Sequence, residues 1–425
     1  MRHQFAVLFV IVATVPIFTV SSKASFNGSL QIARANDYFG YKLLEHLEER
    51  NFFEEDAEPE NLFISPFSVS TVLTMVMAGA KGDTFEEIKN TLGVQLKLTE
   101  PQRYTAFNTL LRQLNNLSSS DTVNSLKLAN AIALQTGETP LLPRYQRIVK
   151  RRLKAKIFQV NFEKEPEQAA EQINQWASRK TKGKIRKLVE GTLDPGTRVV
   201  LLNALYFNGT WASPFRRDDT ENEEFTYGEV GRRKKITVPM MKKSFHRLNY
   251  LSSEEGELVE LPYRGHLLSM LLFLPAVDDP PPISFTFLDF RKRHNGYSKM
   301  TARKVTLSLP RFKIESSLEL KPTLRWMGIE TAFEDAADFS RMTGNGGDGG
   351  ERLKLSRVLH KAVVEVNEEG SEAAAATMSQ AVFRSWDPRK PIKLNFNRPF
   401  LFAIRCKPLQ LTLFAGIVNK PQEVD

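Results

Sequence analysis

The sequence predicts an α+β domain built round one large sheet, and three observations carry that prediction. Strand-like runs at residues 197–207, 236–241, 267–274 and 304–314 follow stretches of helical periodicity without alternating regularly with them, which excludes a doubly wound sheet. Apolar residues make up 41% and charged residues 25% of the 425, enough for a large core and far from a disordered composition. Cys406 is the only cysteine, so no internal disulfide exists and the fold must rest on burial. Cys406 sits among Phe400, Leu401, Phe402, Ile404 and Leu409, the setting of a buried inert thiol.

Residues 1–24 open with Arg2 and His3, continue as an apolar run interrupted by Pro16, and finish on Ser21, Ser22 and Ala24. That order is a secretory signal ending near residue 24, and the apolar run is short for a membrane span. A single domain over residues 25–425 is expected, secreted and extracellular. In an exported chain the sequons at Asn27, Asn116 and Asn208 are candidate N-glycosylation sites. Asn208 ends an apolar strand just before Trp211 and is the least open of the three.

The first helix is read over residues 35–49, with Tyr38, Leu43, Leu44 and Leu47 on its apolar side, and a largely apolar buried helix over 67–80. Ser65, Pro66 and Ser68 open the second helix as capping residues. In residues 144–156, Arg144, Arg147, Arg151 and Lys154 fall within about 80° on an ideal helix, with Lys150 beside them. This stripe is a candidate site for a sulfated polyanion, and a solvated face is its plainer account. Residues 162–191 read as a helix, with Ala169, Ile173, Trp176 and Ala177 at its spacing, and a basic return. Arg232, Arg233, Lys234 and Lys235 read as a turn between strands. Residues 344–350, GNGGDGG, lack the Gly-Lys-Ser or Gly-Lys-Thr ending of a phosphate loop and read as a surface loop.

The net charge of +10 favours polyanions without naming one. Neither basic cluster has the interleaved aromatics of a single-strand nucleic-acid platform, so nucleic acid is not expected as a partner. Nor is an enzyme expected. The histidines form no His-Glu-x-x-His helix, no Gly-x-Ser-x-Gly turn is present, and no carboxylate pair stands out as acid and base.

The most unusual stretch is residues 361–399. A β-rich segment (Ala362, Val363, Val364, Val366) leads through Glu368, Glu369 and Gly370 into Ser371, Glu372, Ala373, Ala374, Ala375, Ala376 and Thr377. By propensity the alanines make a short surface helix. With a period of two they make a strand whose one face, Ser371, Ala373, Ala375, Thr377, Ser379 and Ala381, is all small. Pattern alone leaves both readings open.

Residues 368–377 resemble the hinge of the inhibitory serpins, and residues 394–404, LNFNRPFLFAI, resemble that family's C-terminal signature. Residues 61–93 and 202–215 are similar to its early helices and a central-sheet strand, in family order. The resemblance implies a large central sheet with surrounding helices and an exposed reactive-centre loop, here residues 368–392. It implies a monomer, without a cofactor other than a candidate glycosaminoglycan, that traps a trypsin-like serine protease of an extracellular cascade. The family's scissile residue lies fourteen positions after the hinge glycine, and counting from Gly370 reaches Arg384, followed by a small Ser385. Phe383 leaves a chymotrypsin-like cut as a minor alternative. By the same resemblance Ser65, Ser68, Asn203 and His360 match a polar cluster that lets the sheet part. A carrier or storage protein of the same fold, and a polyanion binder with secondary inhibition, are the alternatives.

Overall fold

The computed structural model describes residues 23–422 apart from 53–59, 94–97, 121–123, 137–139, 229–231, 277–281, 294–296, 345–352 and 371–389. Within them the helices are α1 (Lys23–Phe52), α2 (Pro66–Gly79), α3 (Gly82–Thr91), α4 (Glu100–Ser120), α5 (Pro143–Arg147), α6 (Pro166–Lys180), α7 (Ile283–Arg293), α8 (Lys321–Trp326) and α9 (Ser340–Thr343). The strands are β1 (Leu62–Ile64), β2 (Ser125–Gln135), β3 (Lys156–Val160), β4 (Val199–Asn208), β5 (Thr220–Tyr227), β6 (Lys234–Ser252), β7 (Gly256–Pro262), β8 (Leu268–Pro275), β9 (Thr301–Pro310), β10 (Phe312–Glu319), β11 (Leu355–Val366), β12 (Ile392–Asn395), β13 (Phe400–Cys406) and β14 (Leu411–Val418).

Two sheets organise the molecule. One has five strands in the order β10-β11-β4-β2-β3; the other has nine, in the order β1-β14-β13-β8-β7-β6-β9-β12 with β5 on β6. The α+β expectation holds. β4 is the clearest case of sequence dictating place: its apolar run VVLLNALYFN is buried on both faces, as an interior strand requires. Val200, Leu202 and Ala204 face α6, while Leu201, Leu205 and Phe207 join the main core. Asn203 is the polar exception within that run.

α2 is mostly apolar and its Ser70, Thr71 and Thr74 return their hydroxyls to helix carbonyls, so it is buried along its whole length and packs against β2, β4 and β14. On the opposite face of the five-stranded sheet, α6 lays Ile173, Trp176 and Ala177 over Ala129, Ala131 and Ala133 of β2, and the same cluster reaches Leu359 and Val363 of β11. Alanines on β2 let the helix come close. α6 thus spans β2, β4 and β11 together.

Several sequence expectations need correction. The strand expected over 304–314 is two, β9 and β10, broken at Arg311. The helix expected over 35–49 is the longer α1, and Tyr38 is exposed while Leu43, Leu44 and Leu47 are buried. The basic turn at 232–235 does join two strands, β5 and β6, with Lys234 and Lys235 already paired in β6. Of the glycine loop expected over 344–350, Gly344 closes α9 at φ +86° and 345–350 lie outside the described residues. Cys406 is buried, and desolvation pushes its thiol up to about 12, the state of an unreactive side chain.

Candidate functional site

The site is built where β11 and β4 meet. They are parallel neighbours, Leu359 beside Leu202, His360 beside Asn203 and Val363 beside Tyr206, in a sheet whose flanking pairs β10–β11 and β4–β2 are antiparallel. β11 ends at Val366 and residues 367–370 fold back as a turn. Asn367 N–H donates to Gly370 O at 2.8 Å and Gly370 N–H to Asn367 O at 3.2 Å, while Asn367 Oδ1 accepts from Glu369 N–H.

This turn lies flat on the segment that follows β4. Trp211 N–H donates to Glu369 O and Phe215 N–H to Glu368 O, both at 2.8 Å, and the Trp211 indole donates to Asn367 O at 3.0 Å. Trp211 is itself immobilised by stacking on Tyr263, centroids 4.5 Å apart. Gly370 has φ +145°, and a Cβ there would sit 1.9 Å from Gly209 O. Only glycine permits so close a backbone approach.

Glu368, the first residue of the expected hinge, is 3% exposed. Its carboxylate faces the Arg311 fork, with Arg311 Nε donating to Oε1 at 2.8 Å and Oε2 at 2.9 Å and Nη2 also donating to Oε1. Thr220 Oγ1 donates to Oε1 at 2.6 Å. Burial pushes this carboxyl upward, but the hydrogen bonds from Arg311 and Thr220 and the Arg311 charge outweigh it, and its pKa lies below the ordinary value. Glu369 pairs with Arg217 at 3.2 Å, in a more exposed setting.

The four residues matched to the sheet-opening cluster do come together under the middle of the same junction. Ser65 caps α2, accepting from Ser68 N–H at 3.4 Å and donating its own hydroxyl to Leu413 O at 2.7 Å. Ser65 N–H donates to His360 Nε2 at 3.3 Å, so the other ring nitrogen carries the proton and donates to Asn203 Oδ1 at 2.7 Å. Asn203 Nδ2 donates onward to Asn130 Oδ1 at 2.7 Å. His360 is 1% exposed, and desolvation pushes its pKa down to about 3, keeping it neutral. Ser68 Oγ, buried beside this chain, has no hydrogen-bond partner among the described residues.

Of the expected hinge, Glu368, Glu369 and Gly370 are placed; Ser371, Glu372, Ala373, Ala374, Ala375, Ala376, Thr377, Arg384 and Ser385 lie outside the described residues. The chain is described again from Lys390, and β12 pairs in parallel with β9 of the other sheet. Sequence reasoning missed Arg311, Thr220, Asn367, Trp211 and Asn130. Arg311 had a signal, a lone charge splitting an apolar run, and so did Asn130, a polar residue inside LANAIAL.

The basic stripe is not what an ideal helix predicts. After α5 the chain takes a π turn over Ile148–Arg152, Asn108 Nδ2 bonds Arg151 O and Arg152 O, and Lys154 turns left-handed at φ +55°. The spacing of 100° per residue therefore fails beyond Arg147. Arg144, Arg147, Lys150, Arg151 and Lys154 are all exposed, Arg144 pairs with Glu100 at 4.0 Å and Lys150 donates to Gln146 Oε1 at 3.2 Å. Of the sequons, Asn27 falls in α1, Asn116 is exposed on α4, and Asn208 ends β4 with its amide donating to Tyr206 at 3.4 Å. Among the described residues no helix is long and apolar enough to cross a membrane.

A family model described as serpin (serine protease inhibitor) matches residues 34–421. Iripin-2 of Ixodes ricinus is 36% identical over 391 residues, spanning 92% of this chain and 94% of that protein. Serpin B8 of Bos taurus is 34% identical over 396 residues, 92% of this chain and 99% of its own. Among solved structures, mouse protein-Z dependent protease inhibitor superposes with a TM-score of 0.77 at 25% identity, and Serpin48 of the insect Tenebrio molitor with 0.75 at 27%; each covers 95% of this chain and 100% of its own.

Proposed function

The chain belongs to the serpin family of serine protease inhibitors, and we propose that it is an exported suicide inhibitor of Arg-specific, trypsin-like serine proteases, cut at Arg384–Ser385. The parallel β11–β4 pair carries this reading. A chain that turns back at Gly370 runs antiparallel to β11, and because β4 points the same way it runs antiparallel to β4 too. One strand between them would turn a parallel junction into two antiparallel ones.

In this mechanism the protease serine attacks the carbonyl carbon of Arg384. The C–N bond to Ser385 breaks, the new amino terminus takes the proton and leaves, and Arg384 remains as an ester on the enzyme. The arginine side chain answers the acid at the base of a trypsin-like specificity pocket. Insertion of the freed loop as a strand is the serpin family's known form of strand addition. Here the inserting residues are 371–383, and the alternate positions Ser371, Ala373, Ala375, Thr377, Ser379 and Ala381 are small enough for a tight slot. Ser371 asks only for a hydroxyl hydrogen bond when buried, whereas a charge there would oppose insertion.

Export follows from the leader at residues 1–24, and an extracellular protease cascade is the setting we assign. Incubation with excess trypsin tests the mechanism. The expected product is a complex that survives boiling in SDS at the summed mass, absent in Arg384→Ala, while Ser371→Arg leaves the protein a plain substrate. Cleavage after Arg384 without a stable complex would move the function to a carrier or storage role. Release into the medium with an amino terminus near residue 25 tests export; a retained leader would overturn it.

A further inference from the structure

Among the described residues three large apolar side chains stand in solvent: Tyr38 is 54%, Phe285 42% and Trp326 55% exposed. All three belong to one face. Tyr38 is on α1, and Trp326 of α8 stacks on His46 of α1 with ring centroids 4.9 Å apart. Phe285 follows Ile283 and Ser284 of α7, whose N–H groups donate to the Glu48 carboxylate of α1 at 2.8 and 3.0 Å. At 100° per residue, His46 lies about 80° to one side of Tyr38 and Glu48 about 80° to the other. α8 and α7 therefore flank α1, and the strip left open between them carries Tyr38, Lys42 and Glu49, with Arg50 at its end.

Exposed apolar residues scattered singly mean little, but three aromatics grouped on one face mark a contact surface. The charges between them say what covers it. Lys42 is held to Glu45 at 2.5 Å and Glu49 lies beside His46 at 3.3 Å, so both signs are present and an anionic lipid surface gains little there. Such a strip complements itself when reversed. Laid antiparallel on a copy, about a two-fold axis crossing α1 near residue 44, Lys42 reaches the partner's Glu49 and Tyr38 lies beneath the partner's Arg50, a cation over an aromatic ring. Laid parallel, each charge would face its own like. The antiparallel rotation also keeps each flank with itself, so Trp326 packs on the partner's Trp326. We propose that this α1 face is the contact of a two-fold dimer of the chain, in place of the monomer that the family resemblance implies. From Arg34 to Arg50 the strip is about 24 Å long, and the three helices are about 20 Å across, so each copy gives up roughly 500 Å². A total of about 1,000 Å² is the lower bound of a specific interface, which puts the dissociation constant in the micromolar range. No residue of the β11–β4 junction is on this face, and the proposal does not rest on the inhibitory mechanism.

Sedimentation velocity of the full protein between about 1 and 100 µM tests it, and the parent should pass reversibly from monomer to dimer across that range. Trp326→Ser with Tyr38→Ser should weaken the dimer about tenfold or more, and Phe285→Ser, farther from the axis, about threefold. Lys42→Glu and Glu49→Lys alone should each weaken it about fivefold. The two together set opposite charges face to face again and should return it to within about twofold of the parent. Unchanged thermal melting of the variants separates lost contacts from lost folding. The proposal is overturned if the parent sediments as a monomer throughout, as it would were the face meant for another protein or for lipid. It is overturned equally if the aromatic pair can be removed without effect, or if the charge swap fails to recover the dimer.

Discussion

The rim and the centre of the β11–β4 junction are held by opposite chemistry. At the rim, Glu368 is clamped by the Arg311 guanidinium and Thr220, with Glu369 and Arg217 outside them. At the centre no charge takes part: His360 and Asn203, register partners across the two strands, share a neutral hydrogen bond that continues to Ser65 and Asn130. A charged pair at the sheet's edge, its carboxylate buried and its guanidinium 28% exposed, can be loosened by acid or a competing group. A neutral chain in a dry interior can part only at the cost of leaving donors unsatisfied, or when a new strand takes them up. In the proposed insertion the rim is the end expected to yield first, and the centre sets how much a new strand would have to replace.

The largest expected effect comes from breaking the centre. His360→Ala strands Ser65 N–H and Asn203 Oδ1 and leaves a void, and should lower stability by about 3–4 kcal/mol in urea unfolding. A loss under about 1 kcal/mol would show that the cluster is not holding the strands together.

Acid sharpens the comparison. His360 has a folded pKa of about 3 against an ordinary 6.5, so in that window the unfolded chain binds the proton and the folded one does not. Its contribution is complete above pH 6.5 and is lost as pH falls, with a slope of up to about 1.4 kcal/mol per pH unit. Glu368, with a depressed carboxyl pKa, adds a second loss that begins only as pH falls below its ordinary 4.5. His360→Gln should flatten the stability curve between pH 6.5 and 5 and leave the more acidic limb; an unchanged upper limb would rule out His360 as its source.

At the rim, Arg311→Met leaves a buried carboxylate without its cation and should cost about 2–3 kcal/mol, most of it recovered by adding Glu368→Gln. Failure of the double variant to recover would mean that Arg311 acts through packing. Gly370→Ala drives a methyl into Gly209 O and should cost about 1–2 kcal/mol while raising proteolysis at the turn. Arg217→Ala is the smallest change, under about 1 kcal/mol and vanishing in high salt, because Arg217 is 68% exposed.

Much of this was legible in the chain itself. The apolar run of β4 and the mostly apolar α2 read as buried because few polar residues interrupt them: Asn203 within β4, and in α2 Ser68 with Ser70, Thr71 and Thr74, the last three satisfied by carbonyls of their own helix. The α5 stripe was misread for a local reason: a π turn, held by Asn108 from a distant helix, changes the angular spacing that periodicity assumes.

Composition, period and spacing determined the α+β class and the buried helix and strand, because each depends on neighbours within a few residues; the hinge at Gly370 was read only from the family resemblance of residues 368–377. Only the tertiary structure decided that Arg311 faces Glu368 and that Asn130 ends the His360 chain. Those partners lie tens of residues apart in sequence, and what joins them is the order and register of strands in the sheet, which no local pattern encodes.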